Sequence, residues 1–301
     1  MSIAIPEDVR SFVRNAFKTC NERASLKMSR IPTVHETWLD LTLIEALSEF
    51  AIPVKLNSEW LVRIDTHYLG GGRHFGEWEI ADIGILVMFR RKGKLERTKV
   101  GLLQSKRLYP LEQGFSEDEP VDYMIGFGRL LLELPQHLAA IEDRNFTFTV
   151  ESEYKALDAK AHQYKSIENY EGKTGVPVYY LFYNPWMLPW SVLLPIKAGI
   201  PQPLQCDVGC RVVPADRVRK VLQKEKERSP KYQMLAAALS APFNASPYIA
   251  GWRLEDFVDE LLHCRTGYIA KNSPDAGLES VFYRRQGPIA AAIAVTIDAP
   301  E

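Results

Sequence analysis

EIADIGILVMFRRKGKLERTKVGLLQSKR, residues 79–107, contains two apolar runs separated by a short basic segment around Gly93. Both runs are rich in Ile, Val, Leu and Phe, a composition that is typical of β-strands. The stretch therefore predicts an antiparallel hairpin that turns at Gly93. Asp82 and Gln104 each lie 11 residues from that glycine, so this pairing places them opposite each other.

The predicted hairpin carries polar side chains on one face of an otherwise apolar sheet. Side chains alternate between the two faces of a strand, so Gln104 and Lys106 project from the same side. Asp82 adds a carboxylate to the same patch. Buried groups of this kind cost several kcal/mol unless they are paired, on the order of the transfer penalties for polar and charged groups. A divalent metal ion together with a phosphate group is one candidate partner.

The sequence around the hairpin predicts a fold that mixes helices and strands. Hydrophobic periodicity predicts helices over residues 6–29, 34–50, 123–141 and 151–170, and strands over residues 51–56, 60–65 and 175–184. The last of these strands is apolar on both faces, as expected inside a sheet that is covered on both sides. The fold class predicted is α/β, with a mixed central sheet flanked by helices.

The last third of the chain has a different pattern of predicted elements. Pro201 and Pro203 suggest a boundary, after which helices are predicted over residues 216–228, 234–239 and 254–264, and a strand over residues 290–297. We expect a core formed by residues 1–200, which includes an N-terminal helix. Residues 201–301 are expected to form a mainly helical C-terminal extension packed on that core.

Composition and charge indicate a soluble globular protein. Of 301 residues, 46% are hydrophobic and 25% are charged, with 37 basic and 38 acidic side chains. The near-zero net charge argues against bulk attraction to nucleic acid or membranes, so contacts of that kind would come from local clusters. The most apolar stretch, residues 176–196, contains four prolines and does not read as a membrane span. No signal-peptide pattern opens the sequence, and we expect a cytoplasmic protein without a membrane partner.

The cysteines offer one alternative metal site. Four cysteines are too few and too scattered to predict a disulfide framework. Cys206 and Cys210 could combine with His263 and Cys264 to bind zinc, although this spacing is not a standard zinc pattern. Free cysteines more often serve as small buried apolar residues, and that interpretation is favoured.

The hairpin resembles the core of the PD-(D/E)XK nuclease superfamily, in the variant found in Mrr-type restriction endonucleases, where Gln replaces the second acid. Asp82 begins one strand, and Gln104-Ser105-Lys106 forms the Q-x-K element on the next. An upstream helical acid, Glu36, stands where that family often carries one.

The resemblance covers about residues 30–185. Within that range the order is a helix, the Asp strand, the Q-x-K strand, a helix and an apolar strand. That order matches the αβββαβ core of the family when one short early strand is counted. The resemblance implies a restriction-endonuclease-like core, and it implies nothing about the C-terminal third.

The resemblance also implies a chemistry. Asp82, Gln104 and Glu36 would hold Mg²⁺ or Mn²⁺, and Lys106 would orient or deprotonate the attacking water. The implied activity is metal-dependent hydrolysis of phosphodiester bonds, with DNA as the nucleic-acid partner. A role in restriction or anti-phage defence, and a partner protein of such a system, follow from the resemblance alone.

Two other interpretations remain open from the sequence. In the first, the chain is a non-catalytic interaction or nucleic-acid-binding protein that keeps a nuclease-like scaffold. In the second, it is an unrelated α/β domain in which Asp82 and Lys106 form a structural ion pair. The ion-pair interpretation predicts that substitution of Asp82 destabilises the fold, whereas catalysis predicts loss of cleavage in a folded protein.

Overall fold

The structure, a computed structural model, describes residues 4–68, 80–113, 144–157, 162–194, 207–225, 229–239, 251–270, 282 and 289–300. The helices in these ranges are α1 (Glu7–Arg30), α2 (Glu36–Ser48), α3 (His162–Thr174), α4 (Ala215–Glu225), α5 (Tyr232–Leu239) and α6 (Leu254–Leu262). The strands are β1 (Val54–Lys55), β2 (Leu61–Tyr68), β3 (Ala81–Arg91), β4 (Lys94–Tyr109), β5 (Leu111–Gln113), β6 (Arg144–Phe148), β7 (Glu153–Tyr154), β8 (Val178–Tyr183), β9 (Trp190–Leu194), β10 (Arg211–Pro214), β11 (Trp252–Arg253), β12 (Tyr268–Ile269) and β13 (Ile289–Ala299).

A large mixed sheet forms the centre of the fold. Its strand order is β1-β2-β13-β3-β4-β8-β10-β11, and β7 and β12 also pair with β4. The β3–β4 pair is antiparallel, whereas β4–β8 and β13–β3 are parallel. A smaller sheet has the order β5-β6-β9. The predicted α/β class with a mixed central sheet flanked by helices is confirmed.

The β3–β4 hairpin has the predicted register because a bulge offsets the position of its turn. Its turn is formed by two residues, Lys92 and Gly93, whose φ angles of 50° and 71° are typical of a type I′ turn. A turn centred there would pair Asp82 with Leu103. A bulge between the Arg90 and Phe89 pairs shifts the ladder by one residue. Ile83 therefore pairs with Leu103, and the next step places Asp82 opposite Gln104.

The last strand of the chain lies inside the sheet. β13 pairs antiparallel with β2 and parallel with β3, and buried residues alternate along its first half. The predicted strand over residues 290–297 is thus observed. Among the described residues after 201, β10 to β13 join the central sheet beside α4, α5 and α6, so a mainly helical extension is not what the structure describes. The division at residue 200 stays a prediction.

Helices α1 and α2 cover the sheet near the end of β4. α1 buries an apolar stripe that includes Val9, Val13 and Phe17, and it packs against α2 and α6. Arg10 and Asp259 form a hydrogen-bonded ion pair at 2.8 Å between α1 and α6. α2 contacts β2 and β4. No helix in the described part of the chain is long and apolar enough to cross a membrane.

One predicted helix begins later than expected. The segment predicted as a helix over residues 151–170 contains β7, and α3 starts only at His162. Tyr154 is fully buried and donates a hydrogen bond from its hydroxyl to Asn184 at 2.5 Å, so tertiary packing overrides the helical periodicity there. The strand predicted over residues 175–184 is confirmed as β8, which is buried along its whole length. The helix predicted over residues 123–141 lies outside the described residues.

Candidate active site

Asp82 lies where the paired part of the β3–β4 hairpin ends. The last pair of the ladder is Ile83 with Leu103. One residue further, the Ser105 backbone N–H donates to Asp82 Oδ2 at 2.6 Å, and the side-chain amide of Gln104 donates to the same oxygen. The structure therefore brings Asp82 and Gln104 together, as the sequence predicts.

Gln104 leaves one buried acceptor open. The side chain is only 2% exposed, and its amide nitrogen is engaged with Asp82. Its carbonyl oxygen Oε1 is buried and has no hydrogen-bond partner among the described residues. A buried polar atom left unpaired costs about 1–3 kcal/mol. The site thus contains an oxygen that a cation or an incoming donor would satisfy.

Lys106 and Glu36 face each other beside this pair. Lys106 is 4% exposed, and its Nζ lies 4.0 Å from Glu36 Oε2. The other carboxylate oxygen of Glu36 accepts the Arg107 backbone N–H at 3.0 Å. The acid paired with Lys106 is therefore Glu36, and not Asp82 as the structural ion-pair interpretation required.

A third carboxylate, Asp40, belongs to this region and was not identified from the sequence. Its Oδ1 accepts hydrogen bonds from Ser105 Oγ at 2.6 Å and from the Tyr183 hydroxyl at 2.7 Å. Asp40 lies four residues after Glu36, so α2 places both acids on one face. That spacing, with Asp40 between Leu39 and Leu41 in the sequence, is the signal that could have found it.

Burial and mutual repulsion perturb these carboxylates. Burial raises the pKa of Asp40 to about 7, against the hydrogen bonds from Ser105 and Tyr183. Burial, followed by the charge of Asp40, raises the pKa of Asp82 well above its ordinary value. The ammonium of Lys106 lowers the pKa of both acids. These buried acids lie beside Lys106 and Arg107, and perturbed pKa values of this kind cluster at functional sites.

Arg107 fixes the helix that carries Glu36 and Asp40. Its side chain is 2% exposed, and its guanidinium donates to the backbone carbonyls of Val34 and Pro32. These carbonyls belong to the connection between α1 and α2. The arginine therefore ties the start of α2 to the end of β4 and holds Glu36 beside Lys106.

The residues fit a partial metal site. Among the residues that the structure describes, no group of three or more His, Cys, Asp or Glu side chains is arranged to hold a metal ion. Mg²⁺ usually takes one or two protein carboxylates and fills its coordination with water and substrate phosphates. Asp82 and Gln104 Oε1 supply one anionic and one neutral oxygen of that kind. Glu36 is engaged with Arg107 and Lys106.

The alternative zinc ligands do not come together in the described residues. Cys210 is buried just before β10, and its Sγ lies 3.9 Å from Ser25 Oγ. Cys264 follows α6, where its Sγ accepts a hydrogen bond from Arg97. Cys206 lies outside the described residues. Cys210 thus fits the predicted role of a small buried side chain.

Comparison of the chain with models of protein families, with curated proteins and with solved structures gave no match. The chemistry of the site therefore follows from its own residues. Asp82 and Asp40 are buried acids with raised pKa values. Gln104 has an amide oxygen without a partner among the described residues, and Lys106 lies beside Glu36.

Proposed function

We propose that this protein is a metal-dependent nuclease with a PD-(D/E)XK-like core, and that it hydrolyses phosphodiester bonds of DNA. The observation that carries the proposal is the hydrogen bond between Asp82 and Gln104, which leaves the buried amide oxygen of Gln104 open beside the acids Asp40 and Glu36. Phosphodiester hydrolysis needs anionic and neutral oxygens for a divalent cation and a fixed positive charge for the phosphate.

The residues present suit Mg²⁺ or Mn²⁺. A bound divalent ion would shield the phosphate charge and lower the pKa of a water molecule. Asp82 would hold the ion through its carboxylate, and Gln104 through Oε1, the atom that has no partner among the described residues. Glu36 would act from α2 through a water, because Arg107 and Lys106 already hold its two oxygens.

Lys106 is the group suited to act on the attacking water and on the charge of the phosphate. Its ammonium would orient the attacking water or stabilise the negative charge that develops on the phosphate oxygens. The carboxylate of Glu36 lies 4.0 Å from this ammonium and balances its charge. Ser105 stands between Gln104 and Lys106, and its hydrogen bond to Asp40 fixes the strand segment that carries both residues.

A second candidate function is a non-catalytic interaction or nucleic-acid-binding protein built on the same scaffold. The observation that favours it is the number of internal partners: Asp82 Oδ2 already accepts two N–H donors, and Glu36 accepts one. A site whose acids are satisfied internally can be a structural remnant. Metal-dependent cleavage separates this candidate from the nuclease.

The test is a cleavage assay with matched variants. Purified protein would be incubated with plasmid, linear duplex DNA, single-stranded DNA and RNA, with Mg²⁺ or Mn²⁺. We expect cleavage of DNA by the wild type, and its loss in Asp82→Ala and Lys106→Ala proteins that remain folded. Asp65→Ala is the control, because Asp65 lies on β2 and pairs with Arg63.

The results separate the candidate functions. Cleavage that survives both site substitutions would overturn the assignment of the site. A folded wild type that neither binds metal nor cleaves any substrate would favour the non-catalytic scaffold. The substrate panel also bears on restriction or anti-phage defence, a role for which the support is the resemblance of Asp82 and the Q-x-K element to the Mrr-type enzymes.

A further inference from the structure

Two cations and a tyrosine cluster at the end of β4. The β4–β7 ladder pairs Leu108 with Tyr154 and Tyr109 with Glu153. The ladder ends there, and Lys155 is the first residue of the turn that follows β7. The Arg107 guanidinium lies 4.1 Å from the centroid of the Tyr109 ring, and the Lys155 Nζ lies 4.9 Å from it.

Two cations against one ring repel each other, and the charge of Glu36 offsets part of that on Arg107. An anion at the exposed Lys155 would complete the charge balance. Arg107 donates to backbone carbonyls, which are neutral, and no carboxylate among the described residues forms an ion pair with Arg107 or Lys155. The Tyr109 ring offsets part of the repulsion through cation–π attraction. Lys155 is exposed, so its ammonium is available to a ligand.

The cluster is close to the candidate active site. Arg107 directly follows Lys106, and the charge of Glu36 contributes to the raised pKa of Tyr109, after burial. Tyr109 lies three residues along the strand from Lys106, or about 10 Å at the rise of a β-strand. A DNA backbone carries one negative charge per nucleotide, so a strand cut beside Lys106 would have a neighbouring phosphate within this distance.

We propose that Lys155, with Tyr109 and Arg107 behind it, binds a backbone phosphate that flanks the hydrolysed bond. This inference rests on the proposed nuclease function. Lys155 makes the contact, Tyr109 fixes the direction of its side chain, and the buried charge of Arg107 adds to the local positive field. Free inorganic phosphate has the same chemistry as a phosphate of the DNA backbone, and the two measurements below distinguish them.

The first measurement is binding of a labelled DNA duplex without divalent metal, at several salt concentrations. We expect Lys155→Ala to weaken binding by about threefold to tenfold, and to reduce the slope of log K against log salt by about 1, as for one lost phosphate contact. Lys55→Ala is the control, because Lys55 is an exposed lysine on the edge strand β1. It should bind like the wild type.

The second measurement is thermal unfolding in phosphate and in chloride at equal ionic strength. Phosphate should raise the unfolding midpoint of the wild type and of Lys55→Ala. Lys155→Glu should gain less, because phosphate then acts only through its general exclusion from the protein surface.

The outcomes distinguish this inference from the proposed function. If the wild type binds and cleaves DNA but the Lys155 variants behave like Lys55→Ala, the phosphate site is overturned and the nuclease stands. If Lys155 controls only the phosphate response and not DNA binding, the site takes free phosphate and the backbone contact is overturned. A wild type with neither DNA binding nor a phosphate response overturns both.

Discussion

Gln104 donates its side-chain amide to Oδ2 of Asp82 across the β3–β4 hairpin. This bond and the Ser105 N–H hold the carboxylate in one position. It also turns the amide so that Gln104 Oε1 is left as a buried acceptor without a partner among the described residues. The same contact therefore orders the acid and leaves open the atom that a metal ion would use.

Replacing Gln104 by Glu should make folding depend on a divalent cation. The new carboxylate would be buried beside Asp82 and would remove the donor that now holds it. We expect the free energy of unfolding without metal to fall by about 3 kcal/mol or more, as for other unpaired buried charges. Excess Mg²⁺ or Mn²⁺ should restore most of it, because a ligand that binds only the folded state stabilises that state.

Urea unfolding with EDTA and with Mg²⁺ measures this effect. Gln223→Glu is the matched control, because Gln223 is exposed on α4. It should show a small change that does not depend on metal. Equal loss of stability in Gln104→Glu with and without the cation would argue against a metal site at Gln104.

Asp40 should make stability fall with rising pH. Its pKa is raised from 3.8 to about 7 in the folded protein, so the folded state holds the proton more tightly than the unfolded chain does. Its contribution to stability is complete below about pH 4 and is lost as the pH rises through about 7. Asn at this position cannot ionise, yet its oxygen can still accept from Ser105 and Tyr183.

The expected result is an Asp40→Asn protein whose advantage over the wild type grows between about pH 4 and pH 7. At about 1.4 kcal/mol for each unit of pKa shift, the difference reaches on the order of 4 kcal/mol at most. Denaturant unfolding at a series of pH values, without metal, checks it. If the free energies of unfolding of the two proteins changed in parallel with pH, a raised pKa of the buried Asp40 would be refuted.

Arg107→Lys should destabilise the fold although it keeps the charge. Lysine cannot donate to the carbonyls of Val34 and Pro32 with the fixed fork of a guanidinium. At least one buried carbonyl would lose its partner, at a cost of about 1–3 kcal/mol. Arg63→Lys, at a partly exposed pair with Asp65, should change stability by less than about 0.5 kcal/mol. Equal effects of the two substitutions in chemical denaturation would contradict this role.

Lys92→Asn should stabilise the hairpin. Lys92 has a φ of 50°, a conformation that Asn adopts more readily than Lys, and Asn-Gly is the preferred pair for a type I′ turn. We expect the free energy of unfolding to rise by about 0.5–1 kcal/mol. Lys94→Asn, just after the turn, is the control and should give no gain. A loss of stability in Lys92→Asn would contradict a type I′ turn at Lys92 and Gly93.

The hairpin was predictable because its pattern is local. The two apolar strands and the glycine of the turn lie within one short stretch of the sequence. Counting equal distances from Gly93 gives the right register because Glu96 is left unpaired between Leu95 and Arg97. This bulge offsets the fact that the turn is centred between Lys92 and Gly93, not on Gly93. A bulge follows from cross-strand packing, which no short stretch of sequence specifies.

The parts that were missed depend on contacts between distant segments. β13 is a recognisable strand, but its place between β2 and β3 joins residues more than two hundred positions apart in the chain. Asp40 is recognisable only as an acid in an apolar helix until Ser105 and Tyr183 are seen to donate to it. Glu36, in contrast, was predicted and lies beside Lys106.

The most direct test of the proposed nuclease is the single-turnover rate of DNA cleavage by Asp82→Asn protein with excess Mg²⁺. Asn keeps the size of the side chain and an oxygen that can accept from Gln104 and Ser105, and it replaces the other, anionic oxygen by a neutral NH2 group. We expect this variant to unfold like the wild type or at higher denaturant, and to cleave at least about a hundredfold more slowly. Cleavage by folded Asp82→Asn within about twofold of the wild-type rate would contradict a catalytic site at Asp82.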